Sequence, residues 1–203
     1  MNPSVKDIQN LLPQTQCKEC GFNGCLPYAQ ALHAKQTTIN LCPPGGVKTL
    51  KALGALLQQD PTPYLKEMQQ KTRPPQVAII EEASCIGCTK CIQACPVDAI
   101  IGAAKHMHVI INQDCTGCGL CVEPCPVDCI TLLPLEETCY DPQLAKLHHE
   151  QKQQRLLREK QQQEALFKEK RKLRANSASA QTEKEAKKAY ILGAIHRIKQ
   201  KKS

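Results

Sequence analysis

Two stretches of the chain decide its fold: CIGCTKCIQACPVDAI at residues 85–100 and CTGCGLCVEPCPVDCI at residues 115–130. Nine of their 16 positions are identical, including all four cysteines and the proline after the last one. This internal similarity predicts two copies of one structural unit, related by pseudo-twofold symmetry. Short apolar runs flank the copies and predict β-strands at 77–80, 108–111 and 130–133.

Each copy has the cysteine spacing C-x2-C-x2-C-x3-C-P. Three thiolates at this step can hold three corners of a [4Fe–4S] cluster in one loop, while the fourth cysteine reaches the other cluster. The spacing therefore predicts two clusters, one on Cys85, Cys88, Cys91 and Cys125 and one on Cys115, Cys118, Cys121 and Cys95. Zinc is the alternative, but paired C-x2-C zinc sites give no reason for the third cysteine or the repeated C-P.

Four further cysteines precede the repeat with the spacing C-x2-C-x4-C-x16-C, namely Cys17, Cys20, Cys25 and Cys42. Gly21 and Gly24 allow a tight loop between the first three of them. Four thiolates suit either a tetrahedral zinc ion or a third iron–sulfur cluster, and the spacing alone leaves both interpretations open.

The composition also points to metal-dependent folding. The 203 residues include 14 Cys, two Phe, four Tyr and no Trp, so a large conventional core is not expected and the cysteines are expected to stabilise the fold. Neither a secretory signal nor a run of about 18 apolar residues is visible. We therefore expect a cytoplasmic protein in which metal sites are favoured over disulfides.

The expected architecture is α+β in four parts. A small helical four-cysteine domain covers 1–59, with helices at 4–12, 26–36 and 47–58, the first capped by Ser4. Four prolines predict an irregular linker at 60–76. A two-cluster, ferredoxin-like domain follows at 77–140. A basic tail at 141–203 is expected to be helical or partly disordered, with helices at 143–175 and 186–199 and a polar break at 176–185.

Charge separates the tail from the rest of the chain. Residues 1–140 hold every cysteine and a net charge of −2, whereas residues 141–203 carry +10. The segment 186–199 places apolar side chains beside basic ones and predicts a helix that lies on an anionic membrane surface; these side chains are Tyr190, Ile191, Ala194, Ile195 and Ile198. A solvated extension is the alternative. Nucleic acid is less favoured, because aromatic residues are nearly absent from the tail.

Several other polar or reactive residues are not expected to bind a cluster or to catalyse. Cys129 stands where the first copy has Ala99, so it is expected to be a small buried side chain. Cys139 is expected to be a free thiol, and His148 and His149 to be solvated. Asp98 and Asp128 follow each C-P-V and are expected to form a turn or a helix cap.

The segments LLPQTQCKECGFNGCLPYAQAL at 11–32 and INLCPPGG at 39–46, followed by the double motif, resemble the B subunit of the Rnf-type electron transport complex. That complex is an ion-translocating, membrane-bound oxidoreductase that passes electrons between ferredoxin and NAD. The resemblance covers about residues 4–135. It implies that Cys17, Cys20, Cys25 and Cys42 hold a third [4Fe–4S] cluster. Members of the family usually begin with a transmembrane helix, whereas Lys6, Asp7 and Pro13 make a membrane span unexpected here.

These observations predict an electron carrier with three [4Fe–4S] clusters and no catalytic site of its own, since no nucleophile, acid–base pair or flavin motif is apparent. The resemblance implies other subunits of the complex, or a redox protein, as partners. It also implies a location at the cytoplasmic face of the inner membrane. The alternatives are a standalone ferredoxin-like carrier and a redox-sensing module whose basic tail binds an anionic membrane or nucleic acid.

Overall fold

A computed structural model describes residues 3–176 and 178–200 as a small α+β protein. It divides into two compact units, Met1–Lys152 and Gln153–Ser203. The first unit contains, in order, α1 (Val5–Asn10), α2 (Cys25–His33), α3 (Gly46–Leu57), α4 (Leu65–Lys71), β1 (Gln76–Ile80), α5 (Lys90–Ala94), β2 (Ile100–Ile101), β3 (Val109–Ile110) and β4 (Ile130–Pro134). Short 3₁₀ helices lie at Thr62–Tyr64 and Glu82–Ser84. Helix α6 (Pro142–Asn176) and helix α7 (Ala178–Gln200) follow.

The N-terminal half of the first unit is a small helical core. Helix α1 begins at a capping box, in which the Ser4 side chain accepts from the Asp7 N–H and the Asp7 carboxylate accepts from the Ser4 N–H. This confirms Ser4 as the cap. The three expected helices form, and their apolar faces pack together around Ile8, Leu12, Tyr28, Leu32, Leu50 and Leu53.

The expectation of an irregular linker at 60–76 is wrong for most of that segment. The prolines lie outside helix α4, and Thr62–Tyr64 forms a 3₁₀ helix with Pro63 in its first turn. Met68 of α4 is buried in the helical core. The apolar side chains of this segment therefore pack against the four-cysteine part of the chain.

The second half of the first unit holds two small antiparallel sheets. Strand β1 pairs with β4, placing Ile80 opposite Ile130, and β2 pairs with β3, placing Ile100 opposite Ile110. These two pairs are related by the 30-residue repeat. The strand before one cysteine loop thus pairs with the strand after the other, as pseudo-twofold symmetry requires. The sequence did not predict strand β2 or helix α5.

A glycine in each cysteine loop allows the backbone to pass close to the neighbouring segment. Gly87 and Gly117 both have positive φ, at 68° and 62°. A Cβ atom at Gly87 would lie 2.5 Å from the backbone nitrogen of His106, and one at Gly117 would lie 2.0 Å from the carbonyl oxygen of Gln76. Both positions therefore need glycine for conformation and for space.

Within the described residues, the tail is helical over 142–176 and 178–200. The expected polar break at 176–185 is wrong for residues 178–185, which begin helix α7. Residue 177 and the side chains of Ala194 and Ile198 lie outside the described residues. Within the second unit, large apolar side chains are exposed on both helices, including Phe167, Tyr190, Ile191, Leu192 and Ile195. None of the helices in the described ranges is both long enough and apolar enough to cross a membrane.

Candidate iron–sulfur centres

The four N-terminal cysteines surround one cavity. Cys17, Cys20, Cys25 and Cys42 line it together with Leu12, Thr15 and Tyr28. We call this group the front site. Cys17 and Cys20 lie in the loop before α2, Cys25 begins that helix, and Cys42 lies in the turn before α3. The structure thus brings together the residues that the sequence could only group by spacing.

Two buried glutamines support the front site, and sequence reasoning assigned them no role. Gln14 and Gln16 have positive φ and are almost fully buried. The Gln16 side-chain oxygen accepts a hydrogen bond of 2.9 Å from the Cys25 N–H. The Gln14 amide donates to the Leu12 carbonyl at 3.1 Å and also to the Gln9 carbonyl. These bonds fix the backbone that precedes Cys17, within the PQTQC segment quoted for the resemblance.

Two of the front thiols, Cys25 and Cys42, are buried but face backbone donors. Burial raises the pKa of Cys25 to about 11 and raises the pKa of Cys42 as well. Hydrogen bonds from the backbone N–H groups of Gln16 and Gly45 oppose these shifts. Burial makes a thiolate costly without an adjacent positive charge, and iron in a cluster supplies that charge.

The first cysteine loop of the repeat forms a second cavity. Cys85, Cys88 and Cys91 line it together with Cys125 from the other loop, and we call this group the first site. Cys125 belongs to the second loop but lies with the cysteines of the first loop, as the predicted exchange of the fourth cysteines requires. Burial tends to raise the pKa of Cys125, but N–H donors from Val127, Cys129 and Asp128 and the Cys129 thiol outweigh it and lower this pKa.

His108 also lines the first site, and sequence reasoning gave it no role. Its ring is 1% exposed, and its Nδ1 lies 3.1 Å from the Cys91 sulfur. Its Nε2 is buried and has no hydrogen-bond partner among the described residues. A Cβ atom at Gly102 would lie 2.1 Å from the His108 ring, so this glycine leaves the space that the ring occupies. A lone histidine outside the cysteine pattern carries no sequence signal for this contact.

Cys129 is buried, as expected, and its sulfur lies 3.5 Å from the Cys125 sulfur. Burial and the hydrogen bond to Cys125 raise the pKa of Cys129 to about 12. Burial thus favours the neutral form of Cys129 beside Cys125. Cys139 is exposed, and its thiol donates to the Asn112 carbonyl at 3.1 Å.

The remaining four cysteines, Cys95, Cys115, Cys118 and Cys121, form the second site. Burial, with smaller contributions from the nearby thiols of Cys95 and Cys115, raises the pKa of Cys118 and of Cys121 to about 12. The Ala99 N–H donates to the Cys95 sulfur at 3.3 Å. Cys95, the fourth cysteine of the first loop, therefore lies beside the cysteines of the second loop.

The first turns of α6 pack on the loop that carries Cys95, so the expectation of solvated histidines is wrong. His149 Nδ1 lies 3.0 Å from the Pro96 carbonyl, and His148 is half-buried, 4.0 Å from an Asp114 carboxylate oxygen. Lys152 is buried and donates to the carbonyls of Ile92, Gln93 and Cys95. Lys152 is thus buried and both histidines are half-buried, because α6 belongs to the first unit as far as Lys152.

Asp98 and Asp128 stand in turns with positive φ, at 55° and 50°, which agrees with the turn expected for them. Asp98 also forms an ion pair of 3.1 Å with Lys152. Its role here is to help hold α6 against the cysteine loop.

The front site neighbours the second site. The Thr116 hydroxyl donates to the Thr15 carbonyl at 3.0 Å, and the Tyr140 hydroxyl donates to the Pro13 carbonyl at 2.8 Å. Arg73 and Gln76 donate to the Gly117 carbonyl at 3.3 Å and 2.8 Å. The Thr116–Thr15 bond joins the backbone just before Cys17 to the loop that holds Cys115 and Cys118. The other bonds attach Tyr140 to that backbone and Arg73 and Gln76 to that loop.

The donor chemistry of the three sites fits iron–sulfur clusters. All twelve predicted ligands are thiols, four to a site, and backbone N–H groups point at sulfurs in each site. Cysteine thiolates hold [4Fe–4S] clusters, and hydrogen bonds to the sulfurs are a recognised means of tuning them. Among the described residues, no group of three or more His, Cys, Asp or Glu side chains is placed so that it could hold a single metal ion.

Two families match separate parts of the chain. Residues 78–132 match the family described as "4Fe-4S dicluster domain", and residues 12–44 match the family described as "Putative Fe-S cluster". The first covers both cysteine loops of the repeat, and the second covers the four front cysteines.

Three relatives cover both parts at once. The B subunit of the ion-translocating oxidoreductase complex of Alkalilimnicola ehrlichii is 56% identical over 135 residues, which are 66% of this chain and 73% of the relative. The proteins of the same name from Klebsiella pneumoniae and Shewanella loihica are 53% and 55% identical over 137 residues, which are 68% of this chain and 71% of each relative. These findings confirm the resemblance. The chain therefore belongs to the family of Rnf-type B subunits of the ion-translocating oxidoreductase complex and is an iron–sulfur electron-transfer protein.

Proposed function

We propose that the chain binds three [4Fe–4S] clusters, at the front, first and second sites, and relays single electrons among them. The observation that carries this proposal is the grouping of the thiols. Two cavities are each lined by four predicted ligands, and Cys95 lies among the thiols of the second loop. The ligands would be Cys17, Cys20, Cys25 and Cys42 at the front site, Cys85, Cys88, Cys91 and Cys125 at the first, and Cys95, Cys115, Cys118 and Cys121 at the second.

Each bound cluster would supply reversible one-electron chemistry. The chain's own contribution is to bind, shield and tune. The thiolates bind iron, and the buried walls of the cavities exclude water from them. Backbone N–H groups, such as that of Ala99 directed at Cys95, stabilise negative charge on sulfur. The reduction potential is then set by these hydrogen bonds, by burial and by nearby charge.

The contacts between loops support an order of transfer. The front site adjoins the second site through the Thr116–Thr15 bond, and the exchanged cysteines interlock the second site with the first. We therefore infer that electrons pass between the front and first sites by way of the second. The front and first sites are the two ends of this path.

Anaerobic reconstitution with iron and sulfide tests the proposal. We expect about 12 iron atoms per chain, four per cluster, and reducible clusters by electron paramagnetic resonance. Replacing Cys20 with Ala should remove the signal of the front site alone, whereas replacing Cys118 should perturb the interlocked pair. Zinc without iron, or iron that cannot be reduced, would exclude the electron-transfer role.

The names of the relatives support a place in a larger assembly. We propose that the chain works with the other subunits of an ion-translocating oxidoreductase complex at the cytoplasmic face of the membrane. Co-purification of a tagged chain with membrane subunits would test this. Recovery of the tagged chain without them, from cells that express the complex, would favour a standalone carrier.

The second unit has a separate role in this proposal, as a contact with an anionic membrane surface. Its helices expose apolar side chains such as Leu166, Phe167 and Ile191 among many lysines and arginines. Flotation with vesicles of phosphatidylglycerol and phosphatidylethanolamine, with and without residues 153–203, tests it. Equal flotation of both forms would exclude membrane binding by this unit. Salt-sensitive binding of duplex DNA instead would favour nucleic acid.

A further inference from the structure

Lys152 is a buried lysine at the end of the part of α6 that belongs to the first unit. Its side chain is only 5% exposed, and its ammonium group donates to the carbonyls of Ile92, Gln93 and Cys95. An ammonium group can be buried in this way because the carbonyl oxygens replace the water that it loses. Helix α6 therefore brings a positive charge to the backbone of Cys95, a proposed ligand of the second site.

This charge also acts on the Cys95 sulfur. Burial raises the pKa of Cys95, whereas backbone N–H groups and the Lys152 ammonium oppose that shift. The Asp98 carboxylate pairs with Lys152 at 3.1 Å, but Asp98 is 32% exposed. Water and salt therefore screen the negative charge of the pair more than its buried positive charge. The second site is thus left with a positive charge beside one of its ligands.

The repeat shows that this arrangement belongs to the second site. Residues 96–98, which follow Cys95, are buried or half-buried, and α6 contacts them through His149 and Lys152. The equivalent residues 126–128, which follow Cys125 beside the first site, are all exposed. The contact with α6 therefore makes the electrostatic surroundings of two otherwise similar sites different.

We propose that Lys152 couples the packing of the first turns of α6, residues 142–152, to the oxidation state of the second site. A nearby positive charge favours the more negative, reduced form of a cluster, so the packed helix raises the reduction potential there. Such coupling is reciprocal, so reduction strengthens the packing of these turns. The start of α6 is then a redox-sensitive element of the first unit. This inference rests on the proposed function.

The coupled step moves one electron and no atoms. The second site gains the electron, and a reductant such as dithionite supplies it and is oxidised to sulfite. No bond in the protein forms or breaks. What changes is the attraction between the Lys152 ammonium and the second site, which increases with the negative charge of the site.

Hydrogen exchange of residues 142–152 tests the coupling in the reconstituted full chain, before and after reduction by dithionite. Lys152→Met removes the charge and keeps most of the length of the side chain. The matched control is Lys146→Met, since Lys146 lies on the same helix but donates to the Asn10 side chain at 3.0 Å. Redox titration followed by electron paramagnetic resonance gives the potential of the second site in each protein.

We expect reduction to slow this exchange roughly tenfold in the unaltered chain and in Lys146→Met. In Lys152→Met the exchange should be faster and the same in both oxidation states. The same tenfold factor corresponds to a potential at the second site that is about 59 mV lower in Lys152→Met than in the unaltered chain. A purely structural role of Lys152 would give no dependence of the exchange on oxidation state.

Equal exchange of the unaltered chain in both oxidation states, with clusters that are reduced normally, would overturn the coupling and leave the proposed function intact. Because this comparison needs no variant, it decides the coupling even if Lys152→Met does not fold. A dependence on oxidation state that persists in Lys152→Met would overturn the role of Lys152, as would its loss in Lys146→Met. Failure to assemble reducible clusters would overturn both proposals.

Discussion

The contact between His108 and Cys91 predicts that the two interlocked clusters have different reduction potentials. If Cys91 binds iron as proposed, its thiolate carries no proton, and His108 Nδ1 would donate to it across the observed distance of 3.1 Å. Its equivalent in the repeat is Ala78, which has no donor. The bond is therefore present at the first site only, and it should stabilise the reduced state there.

The size of the effect follows from the charge on the cluster. A hydrogen bond to a charged group contributes about 1.5–3 kcal/mol. One-electron reduction increases the negative charge of a four-thiolate cluster by about half. If the bond strengthens in proportion, the reduced state gains about 0.7–1.5 kcal/mol, which is about 30–65 mV for one electron.

Two substitutions separate the hydrogen bond from the shape of the side chain. His108→Leu keeps much of the volume and removes the donor, whereas His108→Asn keeps a donor near the position of Nδ1. Redox titration followed by electron paramagnetic resonance should show a lower potential at the first site in His108→Leu and a smaller change in His108→Asn. The second site serves as the internal control. An unchanged potential at the first site in His108→Leu would refute the role of the bond.

Four other substitutions test the residues around the sites. Gly117→Ala should destabilise the first unit by about 2–4 kcal/mol in urea unfolding, because a Cβ would meet the Gln76 carbonyl and φ is positive. Gly21→Ala, where φ is positive but the space is open, should cost only about 1–2 kcal/mol; equal losses would show that the clash is unimportant. Lys152→Met should cost about 2–4 kcal/mol and increase hydrogen exchange in residues 142–152, because the carbonyls at the end of α5 lose their donor. Cys129→Ala should keep the full iron content, since Ala99 fills the equivalent position, and loss of four iron atoms would instead make Cys129 a ligand.

The cysteine loops could be predicted from the sequence because their chemistry is local. The spacing alone assigned eight cysteines to two sets, with Cys95 and Cys125 each assigned to the set of the other loop. The structure places these residues accordingly. Helix α1 with its cap and three of the four strands could also be predicted from the sequence. Ser4 and Asp7 form a local signal, and the apolar runs repeat every 30 residues.

Contacts between distant segments could not be predicted in this way. His108 meets Cys91 only because β3 returns beside the first loop, and His149 meets Pro96 only because α6 packs back on the unit. For a related reason, the segment 60–76 was expected to be an irregular linker, although it contains helix α4 and the buried Met68. Its prolines indicate where helices cannot continue, but they do not report whether the residues between them meet an apolar surface.

The exchange of Cys95 and Cys125 between the two sites has a consequence for biogenesis. With the proposed ligand sets, a ribosome delivers Cys85, Cys88 and Cys91 well before Cys125, so the earlier loop stays incomplete until nearly the whole repeat has emerged. For the later loop, by contrast, Cys95 has already been synthesised, so its set of four ligands is complete once Cys121 has emerged. The cofactors would then be installed in the reverse of the order in which the loops are made. A chain cut short between Cys121 and Cys125 could close the later loop and never the earlier one.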